Sequence, residues 1–178
     1  MRAKFSGLCV VTLVVSLATA VPAAAGPQFV GGTPPNIGDF GPVVLNGTPQ
    51  LTTASMDTFQ VLDDSVSPAG WNVTLQIPDL QNGSGPDCST GATASIPGAS
   101  ISMDAPVVTP ADGFTSMTGV TSAGFVGFTS PQIVIDAQNG DGSGTYNVSP
   151  ALLRLVVPDG ALTGTYCAIA TVAINVGP

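Results

Sequence analysis

The chain of 178 residues contains no histidine and no glutamate, and only three of its residues are basic. Without histidine there is no Ser-His or Cys-His pair, so the common nucleophilic triads are excluded, and a catalytic zinc site would lack its usual ligand. General acid–base chemistry would rest on aspartates and two tyrosines. Two aspartates could serve glycoside hydrolysis, but such a site needs aromatic platforms and the chain has one tryptophan. We therefore expect a protein that is not an enzyme.

Positive charge is nearly absent beyond the N-terminus. Arg2 and Lys4 lie among the first residues, which leaves Arg154 as the only cation of residues 26–178, against eleven aspartates. The side-chain charge of that part is one minus eleven, or −10. A chain with so little positive charge cannot neutralise phosphates, so we expect no nucleic-acid partner. The aspartates are expected to keep an apolar chain soluble.

Residues 1–25 have the layout of a secretory signal peptide. A basic start is followed by the apolar run LCVVTLVVSLATAV and by three alanines at 23–25. The run is shorter than the roughly 20 apolar residues that a membrane span requires. We expect cleavage between Ala25 and Gly26, a secreted extracellular chain, and no stable membrane insertion after cleavage.

Two cysteines, Cys88 and Cys167, follow the predicted cleavage site. An even pair in an exported chain favours one disulfide, because the compartments outside the cytoplasm are oxidising. Two free thiols are the alternative, since pairing depends on a geometry that sequence does not show. Metal binding by two cysteines without histidine is disfavoured.

The remaining pattern is that of many short strands. Residues 26–42 are rich in glycine and proline and show no apolar period, which predicts an extended lead-in, with an edge strand at its end as the alternative. Across residues 43–178, short β-like runs alternate with turn residues, and the sixteen prolines of the whole chain argue against helices. The pattern predicts an all-β fold with a single antiparallel β-sandwich, immunoglobulin-like or jelly-roll-like.

Two strand pairings are predicted from runs that follow each other along the chain. DTFQVLDD (57–64) and WNVTLQI (71–77) are expected to form a hairpin, and the second run alternates apolar with polar residues from Trp71 onward. TYNVSPALLRLVVP (145–158) and TGTYCAIATVAINV (163–176) are expected to form the last pair. The final strand is apolar on both faces, which is typical of a central strand.

One turn carries oxygen atoms suited to calcium. DAQNGDGSG offers Asp136 and Asp141 as ligands, but it lacks the bidentate glutamate and the flanking helices of an EF-hand. The same residues are those of a tight glycine-rich turn, which we favour. Calcium stands as an alternative ligand, and no other cofactor is expected.

Two segments carry a family resemblance: DDSVSPAGWNVTL at 63–75 and LTGTYCAIATVAINVGP at 162–178. Together they resemble the WxL domain of Gram-positive cell-surface proteins, which has a Trp-x-Leu motif after a polar turn and a second motif in its last strand. Here the first motif reads Trp71-Asn72-Val73. Counting on from Tyr166, the two places of the second motif fall on Val172 and Ile174, so the second tryptophan is absent.

The resemblance implies an exported, non-catalytic β-sandwich that attaches to the cell wall, with peptidoglycan or another cell-surface protein as its partner. It would make Trp71, Val73, Tyr166, Val172 and Ile174 the ligand-binding residues. The alternation around Trp71 favours instead a side chain that packs in the core. Two other functions stay open: a self-associating surface or matrix subunit, and a calcium-dependent adhesin module.

Overall fold

The computed structural model describes residues 26–177 together with the backbone of residues 8–15. Most of the predicted signal peptide, including its expected cleavage site after Ala25, lies outside the described residues. In the described part, no helix is long and apolar enough to cross a membrane.

The described residues form an all-β fold, as predicted, because turn residues interrupt most runs and the long run of β16 is rich in β-branched residues. A single 3-10 turn, Gly98–Ser100, interrupts the strands. The strands are β1 (Leu8–Val15), β2 (Gln28–Phe29), β3 (Phe40–Val44), β4 (Gln50–Met56), β5 (Phe59–Asp63), β6 (Trp71–Gln76), β7 (Leu80–Gln81), β8 (Ser95–Ile96), β9 (Ile101–Met103), β10 (Val108–Pro110), β11 (Val120–Ser122), β12 (Phe125–Val126), β13 (Gln132–Ala137), β14 (Gly144–Val148), β15 (Ala151–Val157) and β16 (Thr165–Val176).

The largest sheet, termed the main sheet, has the strand order β11-β13-β6-β16-β1-β3, and β7 and β8 extend it beside β16. Its neighbouring strands are antiparallel except for β1 and β16, which run parallel. The twelve-residue strand β16 is central in the sheet, as predicted, since β6 and β7 lie on one side of it and β1 on the other. Its two faces are not both covered, because Thr171 and Asn175 are exposed.

Two smaller sheets, β10-β14-β5-β2 and β12-β9-β15-β4, are two halves of one bent layer. The pairs Met56–Ala151 and Phe59–Val148 share one register, so the two ladders lie in line with each other. The ladder breaks between them at Pro150, which has no N–H to donate. This layer and the main sheet enclose one cluster of buried hydrophobic residues, so the predicted β-sandwich is confirmed.

The core takes one face of each long strand. Along β6 and just beyond it, the four apolar residues that alternate in the sequence have no exposed surface: Trp71, Val73, Leu75 and Ile77. Along β16 the core face is formed in the same way by every second residue: Tyr166, Ala168, Ala170 and Val172. Cys167, on the other face, is buried too. The prediction that Trp71 belongs to the core is therefore confirmed.

Both predicted pairings of successive runs are wrong. β5 pairs with β2 and β14, whereas β6 pairs with β13 and β16, so the expected hairpin is instead a crossing between layers. The connecting residues 64–70 include Pro68, and Gly70 has a φ of 80°, which turns the chain away from β5. Likewise β15 pairs with β4 and β9, not with β16. Side-chain alternation reports the buried face of a strand and carries no information about its neighbour.

The predicted lead-in, residues 26–42, runs into β3, an edge strand of the main sheet. β3 already begins at Phe40, and β2 lies inside the predicted lead-in. Before β3, the chain runs along β4, where Ile37 and Met56 form a bridge and the Gly38 N–H donates to the Ser55 carbonyl. The chain then leaves this layer and joins the main sheet as β3.

Candidate functional site

The site begins with Trp71, the first residue of β6. Gly70 precedes it in a left-handed conformation, and a Cβ at Gly70 would lie 2.5 Å from the Ala137 carbonyl oxygen. The Gly-Trp step of the sequence is thus required by the close approach of β6 to β13. It aims the indole inward, where none of its surface is exposed.

The indole has a polar and an aromatic partner. Its Nε1 donates to the Gly142 carbonyl at 2.9 Å, and its ring lies 5.6 Å from the ring of Tyr146 at a tilt of 59°. The Tyr146 hydroxyl reaches the carbonyls of Ser116 at 2.8 Å and Ser143 at 3.2 Å. Sequence reasoning missed Gly142 and Tyr146. The glycine-rich turn was the available signal, because a carbonyl there can approach the indole only where no Cβ intervenes.

The two WxL-like segments lie side by side. β6 and β16 pair so that Val73 is opposite Ile174 and Trp71 is opposite Val176. Val172 is opposite Leu75, two residues further along the ladder. Four of the five residues that the resemblance implied as ligand-binding are nevertheless buried: Trp71, Val73, Tyr166 and Val172. Ile174 is half-buried.

Tyr166 lies apart from this group. It stands near the start of β16, opposite Val11 of β1. Its hydroxyl and the backbone of Leu162 exchange hydrogen bonds at 3.1 Å in both directions. Tyr166 therefore fastens the turn that precedes β16.

The opposite side of the same strands carries four polar side chains that we term the outer polar face: Asn72, Thr74, Asn175 and Asp136. Asn175 is exposed, Thr74 and Asp136 are half-buried, and Asn72 is buried. Asn175 Nδ2 donates to Asn72 Oδ1 at 2.9 Å and contacts Thr74 Oγ1 at 3.4 Å. Asn72 Nδ2 donates to the Gly177 carbonyl at 3.0 Å. Asp136 is opposite Asn72 on β13. Amides, a hydroxyl and a carboxylate thus stand in one row across three neighbouring strands.

The disulfide predicted from the sequence is present. Cys88 and Cys167 are joined across a Cα separation of 5.4 Å, and Cys88 adopts a φ of 53°. The bond ties the 82–94 loop to β16. The loop is also closed by the Gly83 N–H, which donates to the Cys88 carbonyl at 2.6 Å.

Beside the disulfide lies a surface pocket of about 550 Å³, lined in part by Asp79, Asp87 and Ile169. Asp79 Oδ1 accepts from the Gly98 N–H at 2.9 Å. Asp87 accepts from the N–H and the hydroxyl of Ser89, and these bonds lower the pKa of Asp87. Both carboxylates are therefore engaged in holding loops.

Other acidic groups surround Tyr146. Burial raises the pKa of Tyr146, and the charges of Asp141 and Asp63 raise it further, so the phenol stays a proton donor. Asp63 is buried: its Oδ1 accepts from the N–H and hydroxyl of Ser65, whereas its Oδ2 has no hydrogen-bond partner. Asp141 packs over Gly119. Asp136 lies apart on β13, and within residues 26–177 no three acidic, histidine or cysteine side chains gather as a metal-binding set.

The cation Arg154 is engaged as well. Its guanidinium forms a two-pronged ion pair with Asp104, one bond of which measures 2.8 Å. The hydrogen bond from Arg154 holds the pKa of Asp104 below its ordinary value.

No family model matches the chain, and no curated protein and no solved structure matches it either.

Proposed function

We propose that this chain is an exported, non-catalytic β-sandwich module of the cell surface, similar to WxL domains, that contacts the cell wall through its outer polar face. The layout of residues 1–25 supports export, and so does the disulfide, which needs an oxidising compartment. The absence of histidine and glutamate supports a binding or structural role over catalysis.

The observation that carries the proposal is the row of polar groups on β6, β13 and β16. Asn175 already bonds to both Asn72 and Thr74, so these side chains are ordered before any ligand arrives. Amide, hydroxyl and carboxylate groups both donate to and accept from sugar hydroxyls and peptide amides. Trp71 lies on the other side of β6, and the contacts of its ring with Gly142 and Tyr146 fix the start of this strand.

Retention on purified peptidoglycan sacculi tests the proposal. The exported chain is compared with Asn175→Ala and Thr74→Val, each of which removes a polar group from the outer polar face. Each lost hydrogen bond of about 1 kcal/mol should weaken binding roughly fivefold. The matched control is Asn147→Ala, which removes a bond between Gln60 and Asn147 in the other layer. Absence of retention of the unaltered chain, or equal retention of all variants, would contradict the proposal.

A second candidate is a calcium-stabilised adhesin module, and the unpartnered Asp63 Oδ2 favours it. A buried carboxylate oxygen without a donor is destabilising unless it is neutralised or paired. A divalent cation between Asp63 and Asp141 would supply that charge. Calcium should then raise the melting temperature of the chain relative to EDTA, and Asp63→Asn should abolish the rise while Asp159→Asn keeps it. Equal melting temperatures in calcium and EDTA would remove this candidate.

A further inference from the structure

The main sheet depends on β1 for its continuity. β1 pairs with β16 at six successive positions, from Val10 opposite Thr165 to Val15 opposite Ala170. On its other edge it pairs with β3, where Leu8 is opposite Val44. Among the described strands, β3 has no other ladder partner. β1 is therefore the strand that links β3 to the sheet.

The sequence predicts that this strand is removed on export, because β1 lies within residues 1–25. Its removal would leave the edge of Thr165–Ala170 and the edge of β3 facing each other across a gap. With strands about 4.8 Å apart, that gap is about 10 Å wide, the space of one strand. We term it the strand slot. Both of its walls would present unpaired N–H and C=O groups, which readily pair with another strand.

β3 has its own attachments that keep the strand slot open. The Gly38 N–H donates to the Ser55 carbonyl at 2.9 Å, just before β3 begins. The Thr52 hydroxyl donates to the Gly41 carbonyl at 2.7 Å. The side chain of Phe40 is buried in the core. These contacts bind β3 to β4 in the other layer, so closing the slot would require β3 to break them.

The walls of the strand slot define the chemistry of its occupant. Thr165–Ala170 reads TYCAIA and β3 reads FGPVV, so neither wall carries a charged side chain. Ala168 and Ala170 have small side chains, so this wall suits an occupant with larger ones. The segment seated there, LCVVTLVV, is uncharged and rich in β-branched residues.

We propose that the exported chain, once residues 1–25 are removed, binds an extended, uncharged, aliphatic segment of another protein in the strand slot. The segment adds as a strand, parallel to β16 and antiparallel to β3, and main-chain hydrogen bonds on both edges provide the affinity. A second copy of this chain is a poor donor. Its comparable runs β6 and β15 are each paired on both edges, and β16 is paired with β6 and β7 on one edge, so a donor would have to dismantle its own sheets. The strand slot is separate from the outer polar face.

The test uses the full chain with a single site-specific protease sequence placed within residues 16–25. After folding and oxidation, cleavage leaves residues 8–15 held only by non-covalent contacts. A fluorescent peptide of residues 8–15, with Cys9→Ser and a soluble tag, is then added in excess. We expect the peptide to replace the cut segment and to remain bound through gel filtration. A peptide that also carries Thr12→Pro lacks one N–H of the ladder and should bind about tenfold or more weakly.

Amide hydrogen exchange locates the binding. The peptide should increase protection in 165–170 and 40–44, while β11, the opposite edge of the main sheet, stays unchanged. If the cut chain unfolds on losing the segment, recovery of the fold by the peptide supports the proposal, and failure to recover contradicts it. Loss of the segment with no peptide binding, equal binding of the proline peptide, or assembly of the cut chain into dimers that exclude the peptide would each overturn it.

Discussion

At the scale of single residues, the contact between Trp71 and residue 142 requires a glycine. Gly142 has a φ of 86°, and a Cβ there would lie 2.6 Å from the indole Nε1 and 2.6 Å from Ala137 Cβ. Gly140, two residues earlier in the same turn, has a φ of 91° but no atom within 4 Å of its Cβ position. The two glycines share a left-handed backbone, but only Gly142 is crowded and accepts the indole hydrogen bond, so they form a matched pair.

Gly142→Ala should therefore destabilise the fold far more than Gly140→Ala. The left-handed backbone alone costs about 1 kcal/mol on replacement by alanine, and this is the expected effect at Gly140. At Gly142, overpacking and the lost indole hydrogen bond bring the expected loss to about 3 kcal/mol or more. Urea unfolding of the two variants measures the difference. Equal losses would mean that the indole does not depend on the shape of this turn.

Arg154 changes the pKa of one aspartate of this acidic chain, Asp104. The hydrogen bond from Arg154 lowers the pKa of Asp104 from its ordinary value of 3.8, and Ser89 independently lowers that of Asp87. Because these pKa values are lowered in the folded state, the stabilisation is present above about pH 4 and is lost as the pH falls through the folded values. Both groups are exposed, so the contribution to stability is small.

Arg154→Ala should raise the pKa of Asp104 toward 3.8 and leave that of Asp87 unchanged. A carboxyl NMR titration of the variant and the unaltered chain measures both groups in one experiment. Asp87 serves as the internal control, because its partner Ser89 is untouched by the substitution. An unchanged Asp104 midpoint would show that the ion pair does not persist in solution.

At the scale of the element, the 82–94 loop depends on the disulfide. A closed loop of 79 residues between Cys88 and Cys167 restricts the unfolded chain, which on the loop-closure model is worth about 4 kcal/mol. The double substitution Cys88→Ser with Cys167→Ser should lower the free energy of unfolding by up to that amount. Adding a reductant to the double variant should have no further effect. A melting temperature that reduction leaves unchanged in the parent chain would contradict this assignment.

Sequence predicted the content of individual strands well and their neighbours badly. Alternation from Trp71 to Ile77 identified the buried face of β6, and the doubly apolar β16 was correctly placed at the centre of its sheet. Both properties are local, because a strand's burial is encoded in its own residues. The identity of a neighbour is set by loops that cross between layers, such as 64–70, and those loops leave no periodic signal.

For the candidate site, too, the sequence indicated properties of single strands but not which strands are neighbours. The two segments that carry the resemblance lie side by side, with Val73 opposite Ile174, although their adjacency was not predicted. It assigned binding to side chains that the sandwich buries, whereas the outer polar face alternates with them on the same strands. The sequence showed that Asn72 and Thr74 alternate with the apolar residues of β6. That they lie beside Asn175 and Asp136 follows only from the strand order β13-β6-β16.

At the scale of the whole molecule, one apolar area lies on the outer surface of the bent layer. Leu51 on β4 is 61% exposed, and Val156, directly opposite on β15, is 46% exposed. Leu152 continues the area along β15 with 38% of its surface exposed. The ion pair of Arg154 and Asp104 lies beside these residues. Such an area is where the self-associating alternative would have its contact.

The net charge of −8 opposes that contact, because two copies repel each other. We expect the full chain to sediment as a monomer at low ionic strength and to associate weakly near 1 M salt, where the Debye length falls to about 3 Å. The double substitution Leu51→Ser with Val156→Ser should remain monomeric in both conditions, whereas Val66→Ser, at a fully exposed position elsewhere, should behave as the parent chain does. Sedimentation velocity measures all three. A dimer at low ionic strength, or salt-induced association that survives the double substitution, would mean that another surface joins the copies.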